Sequence, residues 1–389
     1  MKGSETVKQQ NLKTWFKSGT PWVWMNAGAV SIAVIMTLGL LAVIASRGLA
    51  HFWPADVIVA DYQVPGQEVR VLAGEEVERE EVPRARLAAS GLPVNAEGGE
   101  FMTRELLKVG NREVYGADFS WVVGEWLTNI RTPAELIAVE RREWGNFYGF
   151  LVNVKEEGRL VAEGDAAWAE LQGRLQRVDA LHAQIKDVEK HQIGRINHGL
   201  ERLRLKTRKL ELQGRLDAAA QAELAAEKAQ WDAEYAVLEA RLSELYQAFN
   251  RDSMRVRTAD GHEQDISLGK VVRAFQPNGM SQLEKIGHYF AKLWEFVSDE
   301  PREANTEGGI FPAIFGTVLM TLIMAVIVTP FGVLAAVYLR EYAKQGLLTR
   351  VIRIAVNNLA GVPSIVYGVF GLGFFVYVLG GSLDQLFFP

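Results

Sequence analysis

The chain of 389 residues contains no cysteine. That excludes disulfide bonds, thiolate metal sites and a cysteine nucleophile. Histidine is also sparse, at six residues. Neither HExxH nor GxSxG occurs, and no G-x-x-x-x-G-K-[ST] loop is present to bind nucleotide phosphates by that route. His182, His191 and His198 fall in one segment. No carboxylate or third ligand clusters with them at a metal-site spacing, so no metal is expected there. The paired carboxylates of "GEEVEREEV" (Gly74–Val82) sit in a charge-dense run of the kind that faces solvent. Nothing argues for covalent or acid–base chemistry. The expectation is a protein that is not an enzyme and carries no cofactor.

Charge is the other thing missing, locally. Ser18–Ser46, Gly308–Leu339 and Ile354–Leu383 hold no charged residue at all. Each exceeds the roughly 20 residues an α-helix needs to cross the hydrocarbon core. A mean hydropathy near zero hides this segregation. The chain reads as an α-helical membrane protein with three predicted transmembrane helices and one very long polar loop.

The first apolar core, Ala27–Ala45, is longer than the roughly 7–15 residues of a signal-peptide core. Trp22 and Trp24 precede it, and Phe52 and Trp53 follow it. Aromatics at both rims fit the two interfaces of a bilayer and favour a retained helix over a cleaved signal. Lys2, Lys8, Lys13 and Lys17 flank it on one side. Arg340, Lys344, Arg350 and Arg353 lie between the second and third stretches. Both basic flanks are expected to be cytoplasmic, which places residues 54–308 outside. Leu12, Trp15 and Phe16 at helical spacing predict either a short surface helix or a frayed basic tail. All but eight of the basic residues and all but three of the acidic ones lie from Arg47 to Glu307. That loop is therefore acidic overall and offers no basic surface for nucleic acid.

The expected organisation is a basic tail (1–20), a first membrane helix (21–53), an extracytoplasmic α+β domain (54–308) and a membrane region with two helices (309–389). Within the domain, 54–165 and 252–275 read as β-rich, from runs such as "DVIVADYQV" and "QEVRVLAGEEVEREEV". Asp260-Gly261 marks a hairpin turn. Residues 166–251 lack proline and carry apolar residues three and four apart. They predict a long antiparallel coiled-coil hairpin with arms of roughly 40–60 Å. Gly214 would end the first arm in a left-handed conformation and Asp217 would cap the second. This hairpin either reaches a partner or is a self-satisfied spacer. Residues 280–300 form an amphipathic helix, lying on the outer membrane surface or packed in the soluble core.

The membrane region opens with Pro312, suited to a first helical turn. Pro330 lies deep in the span and should bend it. Gly316, Thr317, Thr321, Ala325 and Gly332 would allow close helix packing.

"GGIFPAIFGT", "GVLAAVYLREYA" and "VNNLAGVPSIVYGVFGLGFF" resemble the permease subunit of phosphate-specific ABC importers, of the PstA type. "VVRAFQPNGMS" and "DEPREANTEGG" resemble a subgroup with a large extracytoplasmic insertion after the first helix. The resemblance implies a permease in a bacterial inner membrane, partnered by a sister permease, a dimer of ABC ATPases and a periplasmic phosphate-binding protein. Permeases of this family have six membrane helices and a cytoplasmic docking loop of E-A-A…G pattern. This sequence carries neither in full, and is expected to be the N-terminal part of one.

The resemblance supplies no list of phosphate ligands. Physical reasoning singles out Asn357, Asn358, Pro363 and Ser364, because Pro363 would start a half-helix whose N–H groups favour an anion. Thr317 is counted with the same path. The alternative is that Pro363 and the glycines only permit a kink. Two other functions stay open: a periplasmic adaptor or sensor anchored in the membrane, and a non-functional truncated permease.

Overall fold

In the computed structural model, residues 12–94, 99–303, 307–359 and 361–387 are described. Residues 1–11 of the expected basic tail, with Lys2 and Lys8, lie outside them. Backbone contacts divide the chain into two units, Met1–Phe311 and Pro312–Pro389. Among the described residues, three helices are long and apolar enough to cross a membrane: Thr20–Ala50, Phe311–Tyr342 and Ser364–Leu386.

The first unit opens with helix α1 (Leu12–Lys17) and the first span, α2 (Thr20–Ala50). Gly19 separates them at φ 78°, a left-handed conformation that costs glycine little. Pro21 then occupies the first turn, where a missing N–H is harmless.

Two antiparallel sheets follow. The first contains β1 (Val57–Tyr62), β2 (Arg70–Pro83), β3 (Phe101–Lys108), β4 (Phe119–Val123) and β5 (Leu127–Arg131), in the order β4-β3-β2-β1-β5. Short helices α3 (Arg84–Ala89) and α4 (Arg112–Tyr115) interrupt the run. The second contains β6 (Ile137–Arg141), β7 (Phe147–Glu156), β8 (Arg159–Glu163), β9 (Asp252–Arg257), β10 (Glu263–Ser267) and β11 (Val271–Phe275). Its order is β10-β9-β7-β6-β11, with β8 pairing β7. The Asp260-Gly261 turn joins β9 to β10, with Gly261 at φ 93°.

The alternation of side chains along a strand explains how the layers meet. Ile137 and Val139 of β6 enter one core with Phe147, Met254 and Val256. Leu136 and Ala138 enter a second core with Val57, Val59, Ala73 and Tyr148, which joins the two sheets. Strand β6 is buried on both faces, which is why "ELIAVER" reads as a nearly continuous apolar run.

The first core is closed by Ala167, Leu171, Leu175 and Val178 of α5 (Asp165–Asp187). This helix continues through a π-helical turn (Val188–Gln192) into α6 (Ile193–Leu212), and α7 (Ala218–Phe249) returns. Between them Gly214 takes φ 64°, and Asp217 caps α7 by accepting from the Ala220 N–H at 2.8 Å. Lys206 pairs with Glu223 at 3.0 Å, and the Tyr246 hydroxyl donates to Glu189 at 2.8 Å, so the two arms run antiparallel. Val188, Ile196 and Leu238 form their core, with Trp231 set over Gly199. The first arm is longer than expected. It starts at Asp165 and runs unbroken to Leu212, about 70 Å at 1.5 Å per residue.

The unit closes with α8 (Gln282–Ser298) and the two-residue strands β12 (Pro301–Arg302) and β13 (Glu307–Gly308). Glu300 joins this segment to the first arm, pairing with Lys190 and, at 3.4 Å, with Lys186 on either side of the π-turn's start.

The second unit holds most of α9 (Phe311–Val337), which continues through Pro330 into a π-turn (Tyr338–Tyr342). Then come α10 (Leu347–Leu359), α11 (Ser364–Phe370), a π-helical segment (Gly371–Gly380) and α12 (Gly381–Phe387). The third charge-free stretch was expected to be a span from Ile354 interrupted at Pro363, where a half-helix would start. Helix α10 ends at Leu359, and the span begins at Ser364. Proline lacks an N–H and restricts the residue before it, so a helix cannot run smoothly through Pro363 here.

Candidate functional site

The expected site residues bracket this break. The Gly361 N–H donates to the Asn358 carbonyl at 3.0 Å, and the Val362 N–H to that of Leu359 at 3.2 Å. The Tyr367 hydroxyl donates to the same Leu359 carbonyl at 2.8 Å and gives it a second, shorter hydrogen bond. Pro363, at φ −57° and ψ 138°, stands immediately before α11, and Ser364 is its first residue. Asn357, Asn358, Pro363 and Ser364 are exposed and lie within one loop and its two flanking turns. The structure thus brings these four together. Thr317 stands apart on α9. Its hydroxyl donates to the Ala313 carbonyl at 2.7 Å, and its own carbonyl accepts from Thr321 at 2.8 Å. Pro312, Gly316, Thr317, Met320 and Thr321 line an open apolar groove along that helix. Gly316, Thr317 and Thr321 along it are small enough for another helix to approach closely.

A second site was not read from the sequence. A polar cavity of about 430 Å³ lies among α8, the strands and the chain leaving α2. Strand β6 supplies Glu140, β2 supplies Glu75, and α8 supplies His288, Lys292 and Glu295. Lys292 donates to Glu140 at 2.7 Å. Glu295 draws Arg273 at 3.1 Å and Arg302 at 3.0 Å. The Tyr148 hydroxyl donates to Glu75 at 2.8 Å. Arg273 Nη1 and Arg302 Nε are buried without a hydrogen-bond partner among the described residues.

Burial sets the protonation balance here, and charges correct it. Burial pushes the Glu75 carboxyl up, opposed by the Lys108 charge and the Tyr148 hydroxyl. Glu307 is likewise raised by burial, with Lys108 opposing. Burial also works against the Glu140 carboxylate, but the Lys292 ammonium and two arginines overcome it and hold the group below its usual range. His288 is pushed down to about 4, by burial first and then by the Arg273 charge. The imidazole therefore stays neutral at pH 7. The network ties α8, β6 and the segment before Pro312 together. Charged lining residues in "GEEVEREEV" and "VERREW" could not be told from solvated ones, because the partners come from strands far away in sequence.

The three histidines of the arms are dispersed. His182 Nε2 lies 3.2 Å from Arg142 Nη1, and His191 pairs with Asp187 at 2.9 Å. No group of three potential metal ligands occurs among the described residues.

Curated relatives share part of this sequence. The phosphate transport system permease protein PstA 1 of Mycobacterium tuberculosis is 41% identical over 73 residues, covering 19% of this chain and 24% of the relative. The PstA protein of Pasteurella multocida is 44% identical over 64 residues, covering 16% and 23%. The probable ABC transporter permease YqgI of Bacillus subtilis is 33% identical over 103 residues, covering 26% and 32%. Two of these relatives are named as permeases of phosphate transport systems and the third as a probable ABC transporter permease. The family resemblance read from "GVPSIVYG" and its neighbours is supported at that level. The chain spans about a quarter of the length of the first curated relatives it matches. No family model matches it, and no solved structure does.

Proposed function

We propose that the chain is part of a transmembrane permease subunit of an ATP-driven phosphate importer. The observation that carries this reading is the 41% identity over 73 residues with a phosphate permease, together with three helices apolar enough to span among the described residues. In this reading the permease sits in a bacterial inner membrane with residues 1–20 cytoplasmic and 54–308 periplasmic. A sister permease completes the translocation path, an ABC ATPase dimer drives it, and a periplasmic binding protein delivers phosphate. The two helical arms act as a periplasmic coiled-coil hairpin.

The break before Ser364 is the proposed phosphate-facing element. Exposed amides of Asn357 and Asn358 and the N–H groups that follow Pro363 are the kind of donors an anion uses. Thr317 is proposed to line the same path from the second span.

Uptake of radiolabelled phosphate by cells that depend on this protein tests the reading. Asn358→Ala and Ser364→Ala are expected to raise KM at least several-fold while leaving membrane levels unchanged. Unchanged uptake kinetics in both variants would remove the break from the path. Copurification of an ATPase with the tagged protein tests the assembly. A preparation free of any ATPase, from cells grown on limiting phosphate, would favour an anchored periplasmic adaptor instead.

A further inference from the structure

Helix α8 is inverted. A helix at the edge of a water-soluble domain turns its apolar stripe inward and its charges outward. In α8 the charges go in: Lys285 and Glu295 are each 8% exposed. Lys285 donates to Asp56 at 2.6 Å, Lys292 to Glu140, and Glu295 receives Arg273. The apolar residues go out. Leu283 is 79% exposed, Phe290 62% and Trp294 72%, with Ile286 and Val297 between and beyond them. Their spacing of three and four places them on one face over about 20 Å, at 1.5 Å per residue. Ser281 and Glu284 form a reciprocal cap that fixes where this helix begins.

We propose that this stripe rests on the membrane, with the lipid headgroup–acyl boundary as its occupant. The position of α8 supports a lipid surface over a protein partner. Phe52, two residues past the end of α2, packs against Phe296 with a tilted ring at 5.1 Å and edge-on against Tyr289 at 6.5 Å. Trp53 lies 6.2 Å from Tyr289. The chain leaving α2 then runs beside α8 as far as Asp56, which holds Lys285. At its other end the Phe296 carbonyl accepts from the Ile310 N–H at 2.8 Å, one residue before the second span begins. Both ends of α8 are thus fastened within a few residues of predicted membrane exits. Trp53, Tyr289 and Trp294 supply the amphipathic rings favoured at headgroup depth. The inference rests on the spans crossing a bilayer and not on the substrate carried.

The chain has no cysteine, so single cysteines can be placed without a background. Leu283→Cys, Phe290→Cys and Trp294→Cys, each labelled with bimane, are reconstituted in full-length protein into phosphatidylethanolamine–phosphatidylglycerol vesicles. Leu160→Cys, exposed on β8, reports solvent, and Met36→Cys, within α2, reports the span. Lipid spin-labelled at a shallow acyl position is expected to quench the three α8 labels at least twofold more than the Leu160 label. Iodide on both sides is expected to quench them at least threefold less. Iodide quenching equal to the Leu160 control, with no effect of spin-labelled lipid, would overturn the proposal. So would shielding from iodide without lipid quenching, which would mean that protein covers the stripe. Quenching of the Met36 label by deep spin-labelled lipid checks the span independently, and Ile286→Cys replaces any α8 variant that fails to fold.

Discussion

Lys292 on α8 donates to Glu140 on β6 at 2.7 Å, and Glu140 is 7% exposed. The pair fastens the inverted helix to the strand that both cores share. Removing one partner leaves the other charge buried, which is costlier than removing both. Lys292→Met is expected to lower stability by about 3 kcal/mol, and Lys292→Met with Glu140→Gln to recover most of that loss. Thermal unfolding of the detergent-solubilised protein measures both. An equal loss in the single and double variants would contradict the pairing.

His288 faces Arg273, Lys292, Glu140 and Glu295 in the same cavity, beside the Phe275 ring at 4.4 Å. Its folded pKa, about 4, lies below the ordinary value of 6.5. The unfolded chain therefore takes up the proton first as pH falls. Stability is expected to drop between about pH 6.5 and pH 4, by about 1–2 kcal/mol once solvent screening of a partly open ring is allowed for. His288→Gln should flatten that part of the profile. An unchanged slope would mean another group controls it.

Asp252 is fully buried at the base of the helical arms. Its carboxylate accepts from Arg174 at 2.8 Å and Arg177 at 2.7 Å, both on α5, and from Arg251 at 2.9 Å. Asp252→Ala removes the carboxylate these guanidinium groups share but leaves Arg174 with Glu156 and Glu170, Arg251 with Glu156 and Arg177 with the Ala248 carbonyl, so the expected cost is about 2–3 kcal/mol. Amide hydrogen exchange should accelerate most in the first three turns of α5 and the start of β9. Uniform acceleration along the arms to Gly214 would show that the clamp is not local.

Tyr367→Phe removes the second donor to the Leu359 carbonyl and leaves it the Val362 N–H alone. The break should loosen by about 1 kcal/mol, the net value of one hydrogen bond. Maleimide labelling of a Gly361→Cys variant is expected to be faster with Phe at 367 than with Tyr.

The arms were legible because their signals are local. Gly214 and Asp217 announce the turn, and both take the predicted conformations. The strands of "DVIVADYQV" and the Asp260-Gly261 turn were legible for the same reason. The charged cavity was not. Glu75, Glu140 and Glu295 look like surface residues in one dimension, and only pairing across β2, β6 and α8 buries them. The amphipathic pattern of α8 could be read, but not its sense. A helical period fixes that two faces exist, while their direction depends on what the charges meet. At the third span, Pro363 announced the helix that begins at Ser364, but the charge-free run from Ile354 hid the end of α10 at Leu359.

Strand β6 has a consequence for how the first unit melts. Ile137 and Val139 hold one core while Leu136 and Ala138 hold the other. No cut between the two sheets spares this strand, so neither layer is an independent cooperative block. Heating should dissolve both in a single transition, with the α5 end of the helical arms lost at the same midpoint.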